Sequence, residues 1–285
     1  MSPSSIAWHG SDGRTGRKAD APAIAVRNSH LSWNPECYLA FGDQRTRPAI
    51  DLLARVPLSD AEQIADLGCG PGNSTRLLVE RWPEARVTGV DSAGEMLAKA
   101  GASGVPASWI EADIARWAPD GPLDLIYANA ALQWLGNHAT LLPRLLGLLR
   151  PAGVLAVQMP RNFEAPSHAL LRETARHARW ANRLSGFLNA PPVAAPGWYY
   201  DLLAPHADPL DIWEVEYLHV LDGDDPVLNW TRSTALRPIM QALDKQDFAA
   251  FEAAYAARLH EAYPKRADGR TLFPFRRLFM VARRR

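Results

Sequence analysis

"ADLGCGPGNSTRLLVERW", residues 65–82, decides the fold of this chain of 285 residues. An apolar run, Gln63–Leu67, leads into glycines at alternate positions, Gly68, Gly70 and Gly72, and a helical pattern follows. Such a loop between a strand and a helix brings a ligand close to bare backbone. The dinucleotide fingerprint is G-x-G-x-x-G, and here the third glycine comes one residue early. The spacing argues against a dinucleotide, and a tight turn that binds no ligand is the alternative.

The acidic residues around the loop indicate the chemistry of the ligand. Asp66 stands directly before the loop, where a carboxylate would repel a pyrophosphate but suits a cationic or hydroxyl-bearing group. Asp91 ends the next predicted strand and can accept hydrogen bonds from a ribose diol, and Asp113 ends the strand after it, near an exocyclic amine on a base. The loop contains no lysine or arginine. These features predict a nucleoside without phosphates that carries an ammonium group, which S-adenosylmethionine fits and NAD fits poorly.

Segments with strand and helix patterns alternate beyond the loop. We predict five strands in the first part of the chain, at residues 63–67, 85–91, 107–113, 123–132 and 153–160. Helical patterns separate them, which indicates right-handed βαβ units and a parallel sheet covered on both faces. The helix before the fifth strand is expected to stop at Pro151. Helices are predicted at residues 73–81, at residues 92–102 with Ser92 as the expected N-cap residue, and at residues 167–180, 225–243 and 244–264. Two later strands, at residues 210–221 and 277–282, can join the sheet while the intervening helices form a lid over its carboxyl edge.

Composition and charge exclude several classes of function. The chain has 31 basic and 31 acidic residues, so no overall field recruits nucleic acid or an anionic membrane. Its two cysteines do not form a disulfide framework or a metal-ligand pattern, which favours a reducing cytoplasm and no metal. No apolar run approaches the ~18 residues of a membrane span. Residues 1–29 lack a hydrophobic period and a secretory core, so we expect a disordered extension there.

The motifs resemble those of the class I S-adenosylmethionine-dependent methyltransferases. The resemblance rests on DLGCGPGNS, GVDSAGEML, IEADI and LIYANAALQWL, and it covers residues 62–160. It implies an α/β, Rossmann-like, doubly wound fold with a mostly parallel sheet of seven strands and a helical lid inserted in the C-terminal half. It also implies a cofactor site. The methionine end would be lined by Asp66, Gly68, Cys69, Gly70 and Gly72, the ribose and adenine would be bound by Asp91, Met96, Ala112 and Asp113 with Ser92 and Ile114 beside them, and Asn129 would close the far side.

The methyl acceptor is predicted from what the sequence lacks and from its arginines. The Asn/Asp-Pro-Pro-Tyr/Phe motif of DNA N-methyltransferases and the Pro-Cys motif of C5-cytosine enzymes do not occur convincingly. The region after the fourth strand has no acid cluster that would serve as a base or bind a metal. A carboxylate nucleophile needs no base, because it is already ionised at neutral pH, but it needs cations that orient it. Arg237 and Arg276 lie among apolar residues and are candidates for that task.

The segments from about residue 33 to the C-terminus resemble, more narrowly, a group of these methyltransferases that forms the monomethyl ester of a small di- or tricarboxylate. By that resemblance, an acceptor site would draw on Trp33, Asn34, Tyr38, Arg47, Arg161, Tyr199, Tyr200, Arg237 and Arg276. Gln133 and Trp134 follow the fourth strand and are candidates for positioning the acceptor. A place in the core is the alternative for Trp134, and a structural role in the lid is the alternative for the two tyrosines.

Three other functions are compatible with parts of this sequence pattern. A methyltransferase for another small acid or for a carrier-bound malonyl group would share the same core. An NAD-dependent oxidoreductase would need phosphate donors in the loop, and a non-catalytic module would bind the cofactor without turnover. We expect an N-terminal cap with the cofactor-binding core at residues 30–160 and the lid with the last strands at residues 161–285. We further expect a cytoplasmic monomer with a small-molecule substrate and neither nucleic acid nor membrane as a partner.

Overall fold

A computed structural model of the chain describes residues 46–187, 192–232 and 234–285. Within these ranges, seven strands form one sheet: β1 (Gln63–Leu67), β2 (Arg86–Asp91), β3 (Ser108–Glu111), β4 (Leu123–Asn129), β5 (Leu149–Pro160), β6 (Ala207–Leu221) and β7 (Thr271–Arg284). They lie in the order β3-β2-β1-β4-β5-β7-β6. Strands β1 to β5 pair in parallel, and β7 runs antiparallel to both of its neighbours. The predicted α/β fold with a mostly parallel sheet of seven strands is therefore confirmed.

The first helices cover both faces of the sheet. They are α1 (Arg47–Ala54), α2 (Asn73–Arg81), α3 (Gly94–Gly101) and α4 (His138–Gly147). Side chains alternate along each strand, so Leu125 and Tyr127 of β4 pack with α1 and α2 on one face. Ile126 and Ala128 pack with α4 on the other face. This double cover explains why the central strands are apolar almost throughout.

The lid helices form a third apolar cluster beside the sheet. These later helices are α5 (Pro166–Ala175), α6 (Ala181–Leu184), α7 (Pro196–Leu203), α8 (Pro226–Arg232), α9 (Arg237–Ala242) and α10 (Lys245–Ala262). Side chains of α5, α8, α9 and α10 pack around Phe273 and Phe275 of β7. The lid is thereby joined to the strand that completes the sheet, while α7 packs against the sheet near α4. No helix in the described ranges is both long and apolar enough to pass through a bilayer.

Three local expectations were wrong. Helix α4 ends at Gly147, before Pro151, which lies inside β5. Leu149 and Val154 of β5 pair with Leu123 and Leu125 of β4, so β5 has extra residues between these two pairs and forms a bulge. Proline is tolerated in such a bulge, because no backbone N–H group is needed there for strand pairing. A single helix was expected over residues 225–243, but the structure has α8 and α9 there.

The third error is at the start of α3. Ser92 was expected to cap this helix, but the N-cap residue is Ala93 and no side-chain cap is formed. The carboxylate of Asp91 accepts the N–H of Ala93 instead, at 2.9 Å. The expected extension at residues 1–29 and the start of the N-terminal cap, up to residue 45, lie outside the described residues. The division of the chain at residue 160 stays a prediction.

Candidate active site

The three glycines of the loop after β1 all have positive φ angles. Gly68, Gly70 and Gly72 have φ angles of 71°, 54° and 89°, in the left-handed region that favours glycine. A Cβ atom on Gly68 would lie 2.2 Å from the Cβ atom of Ala131, so the loop and the β4–α4 connection are in close contact there. The same atom on Gly70 would have no neighbour within 4 Å among the described residues. The middle of the loop therefore presents bare backbone to open space.

Asp91 at the end of β2 holds the loop in this shape. Its Oδ2 atom accepts the N–H of Gly70 at 2.9 Å, and its Oδ1 atom accepts the N–H of Ala93 at the same distance. Each carboxylate oxygen has further lone-pair capacity, so these bonds leave room for a diol. Ser92 beside it is exposed, and Met96 is half-buried in the first turn of α3. The structure brings these three predicted residues to one edge, and their roles in binding stay predictions.

The residues after β3 lie at the same edge of the sheet. Ala112 donates its N–H to the carbonyl oxygen of Asp91 at 3.0 Å, which fixes the two strand ends side by side. Asp113 is exposed, and its carboxylate accepts the N–H of Ala115 at 2.9 Å. Ile114 is buried. The predicted ribose and adenine residues are thus neighbours, because parallel strands end at one edge of a sheet.

Asp66 is fully buried behind the loop. Its Oδ2 atom accepts hydrogen bonds from Ser74 Oγ at 2.7 Å and Thr75 Oγ1 at 2.6 Å. Its Oδ1 atom has no hydrogen-bond partner among the described residues. Burial raises the pKa of this carboxyl to about 6, despite the two hydroxyl donors, which favour the ionised form. Asp66 was expected to line the ligand site directly, but the structure places it behind Ser74.

A cavity of about 620 Å³ lies in front of the glycine loop. The first turn of α2 and the loop form one wall, and the connection after β4 forms a second. Helix α5 and the aromatic side chains of β7 contribute further lining residues. Cys69 lines this cavity, and burial raises the pKa of its thiol, so the thiol stays protonated at neutral pH. Among the described residues, no group of three or more His, Cys, Asp or Glu side chains is placed to hold a metal ion.

The connection after β4 directs amide groups into this cavity. Gln133 donates from Nε2 to the carbonyl oxygen of Ala130 at 2.6 Å, and its buried Oε1 atom has no partner in the part of the chain that the structure describes. Asn129 also lines the cavity, and its Oδ1 atom is buried and likewise without a described partner. Trp134 lines the cavity with 66% of its surface exposed, so its alternative place in the core is wrong.

Two arginines, on α5 and β7, line the cavity. Arg277 of β7 is 5% exposed, and its guanidinium carbon lies 4.8 Å from the centre of the Phe275 ring. Arg172 of α5 donates to the carbonyl oxygen of Phe163 at 2.6 Å. The described residues that line the cavity include no aspartate or glutamate. The cavity lining therefore combines two guanidinium groups, on α5 and β7, with buried oxygen acceptors at the end of β4 and just after it.

Comparisons with known proteins agree with this geometry. Residues 64–153 match a family model described as "Methyltransferase domain". The chain is 57% identical over 251 residues to the trans-aconitate 2-methyltransferase of Azoarcus sp. strain BH72. This alignment covers 88% of this chain and 98% of that protein. It is 49% identical to the enzyme of the same name from Rhodopseudomonas palustris strain BisB18, with the same coverage. The chain belongs to the trans-aconitate 2-methyltransferase family.

A solved structure shows the same fold at low sequence identity. Phosphoethanolamine N-methyltransferase 2 of Haemonchus contortus, in complex with S-adenosyl-L-methionine, matches with a TM-score of 0.50 and 13% identity. The match covers 84% of this chain and 53% of that one. This similarity supports the Rossmann-like methyltransferase fold alone. As a member of the trans-aconitate 2-methyltransferase family, the chain is an S-adenosylmethionine-dependent methyltransferase.

The residues at the glycine loop fit the cofactor of this family. The bare backbone at Gly70 admits a ligand at contact distance, and the neighbouring buried oxygens of Asp66 and Gln133 match a ligand with positive charge. Ser74 lines the cavity and donates its hydroxyl hydrogen to Asp66, so its own oxygen lone pairs are directed away from the carboxylate. The loop therefore suits an ammonium or sulfonium group and would repel neither.

The structure separates the arginines expected at the acceptor site from this cavity. Arg161 forms an ion pair with Glu214 at 2.6 Å, and Arg276 lies 3.6 Å from Glu216. Both arginines line a second cavity, of about 920 Å³, on the other side of the loop at residues 161–165. Arg237 is exposed at the start of α9 and does not line the glycine-loop cavity.

The remaining expected acceptor residues also lie elsewhere. Arg47 has its guanidinium carbon 5.0 Å from the centre of the Tyr217 ring, outside the described lining of the cavity. Tyr199 is buried, and its hydroxyl lies 2.7 Å from Nδ1 of His138, so it holds α7 against α4. Tyr200 is 56% exposed. The contacts of Tyr199 therefore favour the alternative of a structural role in the lid for this tyrosine. The last three candidates, Trp33, Asn34 and Tyr38, fall outside the described residues.

Arg277 and Arg172 are the arginines of the cavity, and neither was among the predicted acceptor residues. Arg277 directly follows the expected Arg276 on β7, and adjacent residues of a strand point to opposite faces. The strand could be predicted from the sequence, but which of the two arginines faces the cavity could not. Arg172 lies on a predicted helix four residues after His168, and both line the cavity. That spacing places them on one helix face and was the available signal.

Proposed function

We propose that this enzyme transfers a methyl group from S-adenosylmethionine to one carboxylate of trans-aconitate and forms the monomethyl ester. The observation that carries the proposal is the buried guanidinium of Arg277 on the wall of a cavity whose described lining has no acidic side chain. The Nη1 atom of Arg277 donates to Oε1 of Gln158 at 3.5 Å, which is a neutral acceptor. A guanidinium on the wall of such a cavity attracts an anionic ligand by charge and can donate to it in a planar fork. The relatives' shared name supplies the particular acid.

A carboxylate acceptor makes few chemical demands on the protein. It is ionised at neutral pH and needs no general base, so the protein must hold it in line and keep water away. Arg277 can bind one carboxylate through two parallel hydrogen bonds, which fixes its direction as well as its position. Bound S-adenosylmethionine supplies an electrophilic methyl group attached to a positively charged sulfur.

The polar groups of the cavity are separated by charge in a way that suits this reaction. Oxygen acceptors are contributed by Asn129 and Gln133 at the end of β4 and just after it, and guanidinium groups are contributed by α5 and β7. Phe163, Leu171 and Phe273 also line the cavity, and apolar side chains of this kind favour the exclusion of water once both ligands are bound. We infer that a cationic methyl donor binds at the glycine loop and that the anionic acceptor binds at the guanidinium groups of the same cavity.

The binding roles of the predicted cofactor residues are part of this proposal. We infer that Gly68, Cys69, Gly70 and Gly72 face the methionine part with Asp66 behind them, that Asp91 and Ser92 bind the ribose, and that Met96, Ala112, Asp113, Ile114 and Asn129 enclose the rest. Gln133 and Trp134 would contact the acceptor. The expected monomeric state, the cytoplasmic location and the absence of nucleic-acid partners stay predictions.

Transfer from labelled S-adenosylmethionine tests the proposal. The protein is incubated with trans-aconitate and, in parallel, with other small carboxylic acids, a phenol and a malonyl-carrier protein. We expect a labelled product from trans-aconitate that is hydrolysed by mild base and is formed in equal amount to S-adenosylhomocysteine. Binding of the cofactor without an ester from trans-aconitate would overturn the proposal, and faster labelling of another acceptor would replace it.

A further inference from the structure

Helix α5 contributes both a guanidinium group and an imidazole ring to the lining of the cavity. His168, Leu171, Arg172 and Ala175 line the cavity at helical spacing, so one face of α5 is directed into it. The side chain of Arg172 is 22% exposed. Burial and the neighbouring charge of Arg172 lower the pKa of His168 to about 4, so this ring is neutral at pH 7.

The present contacts of Arg172 leave its charge available to a ligand. Nη1 donates to the carbonyl oxygen of Phe163, which is a neutral acceptor. Nη2 lies 3.6 Å from Glu164, whose side chain is 82% exposed. An ion pair with so exposed a carboxylate is weak, since water screens it. A guanidinium has five N–H donors, so these two contacts do not exhaust its capacity.

Arg172 and Arg277 reach the cavity from different elements. Arg277 is fixed in β7 and flanked by the Phe275 ring, and Arg172 belongs to the lid helix. One carboxylate cannot saturate two guanidinium groups held on separate walls, whereas an acid with several carboxylates can engage both and present another for reaction. Sites that bind a polar group in an enclosed cavity reject analogues without it, because their own polar groups are then left unpaired.

We propose that Arg172 is a specificity-determining residue that binds a second carboxylate of the acceptor while Arg277 binds the first. This inference rests on the proposed function, because it assigns the carboxylates of the same substrate. It makes the enzyme selective for the number of carboxylates and not only for negative charge. A dicarboxylate that lacks the group bound by Arg172 is then a poor substrate of the native enzyme.

Truncated substrates combined with a variant test this assignment. Itaconate, glutaconate and methylfumarate each lack a different carboxylate of trans-aconitate. For the native enzyme, we expect kcat/KM to fall by about 10- to 100-fold for the dicarboxylate without the group bound by Arg172, the range of a lost charged hydrogen bond. In Arg172→Gln, kcat/KM for trans-aconitate should fall by a similar factor. The ratio of kcat/KM for trans-aconitate to kcat/KM for that one dicarboxylate should then be about threefold or less.

A control on the same helix separates this role from a structural one. Arg176 is exposed at the end of α5 and is not among the described residues that line the cavity, so Arg176→Gln should keep the native ratios. Cofactor affinity of both variants should stay native. If Arg172→Gln lowers kcat/KM equally for every acceptor, or for none, the assignment is overturned. If the native enzyme forms no ester from trans-aconitate, the proposed function itself has failed, which is a different result.

Discussion

Replacing Asp66 by asparagine should make the protein more stable and its cofactor binding weaker. Burial raises the pKa of this carboxyl from 3.8 to about 6 in the folded chain. The folded state therefore binds more protons than the unfolded state between these two values, and stability falls as the pH rises through that window. The difference of about two in pKa corresponds to about 3 kcal/mol of destabilisation by the ionised group at pH 8.

The amide removes this charge and keeps an oxygen that can accept from Ser74 and Thr75. Its NH₂ group takes the position of Oδ1, which has no described partner, and an unpaired buried donor costs about 1–3 kcal/mol. We therefore expect Asp66→Asn to be more stable than the native chain by up to about 2 kcal/mol at pH 8. The gain should decline as the pH is lowered and the native carboxyl becomes protonated.

Urea unfolding of the cofactor-free protein at several pH values measures this effect, and calorimetry measures the affinity for S-adenosylmethionine. Affinity should fall by about 10- to 100-fold, because the ammonium group loses a nearby negative charge. Asp124 provides the opposite control, since this buried carboxylate pairs with Arg150 at 2.5 Å and accepts two backbone N–H groups. Asp124→Asn should lose stability. An Asp66→Asn protein that is less stable at pH 8 and binds the cofactor normally would refute the reasoning.

Two further predictions concern the glycine loop and the lid. Gly68→Ala places a Cβ atom 2.2 Å from that of Ala131 at a φ of 71°, so calorimetry should show stability lower by about 1–3 kcal/mol and weaker cofactor binding. Gly101→Ala, with open space around its Cβ position in the described structure, should be close to neutral. The pKa of His168, lowered from 6.5 to about 4 by burial, means that only the unfolded chain is protonated near pH 5. Native stability should therefore fall by about 2 kcal/mol more than that of His168→Gln between pH 7.5 and pH 5, and equal slopes would contradict the lowered pKa.

The core around the glycine loop could be predicted nearly to the residue. Strand β1 and helix α2 have the predicted bounds, because an apolar run, glycines at fixed spacing and a helical period are local signals. Asp91 was also correctly expected at the end of its strand. Pro151 misled the prediction, since a proline that breaks a helix can equally lie in the bulge of a strand.

The acceptor side could not be predicted in the same way, because it depends on which faces of distant elements meet. Arg276 and Arg277 are adjacent in sequence, and only the pairing of β7 with β5 and β6 decides that Arg277 faces the cavity. The burial of Asp66 behind Ser74 likewise depends on the packing of α2 against the sheet. Motifs with strict spacing therefore identified the cofactor, whereas the arginines that line the cavity could be recognised only from the structure.

The central claim is that Arg277 holds the acceptor while the glycine loop holds the cofactor, and a paired substitution on β7 tests it most directly. Steady-state kinetics with trans-aconitate and calorimetry with S-adenosylmethionine are compared for Arg277→Leu and Arg276→Leu. For Arg277→Leu the account predicts an acceptor KM raised by about 10- to 100-fold and an unchanged cofactor Kd, with both values near native for Arg276→Leu. A native acceptor KM in Arg277→Leu, or a larger effect from Arg276→Leu, would contradict the account.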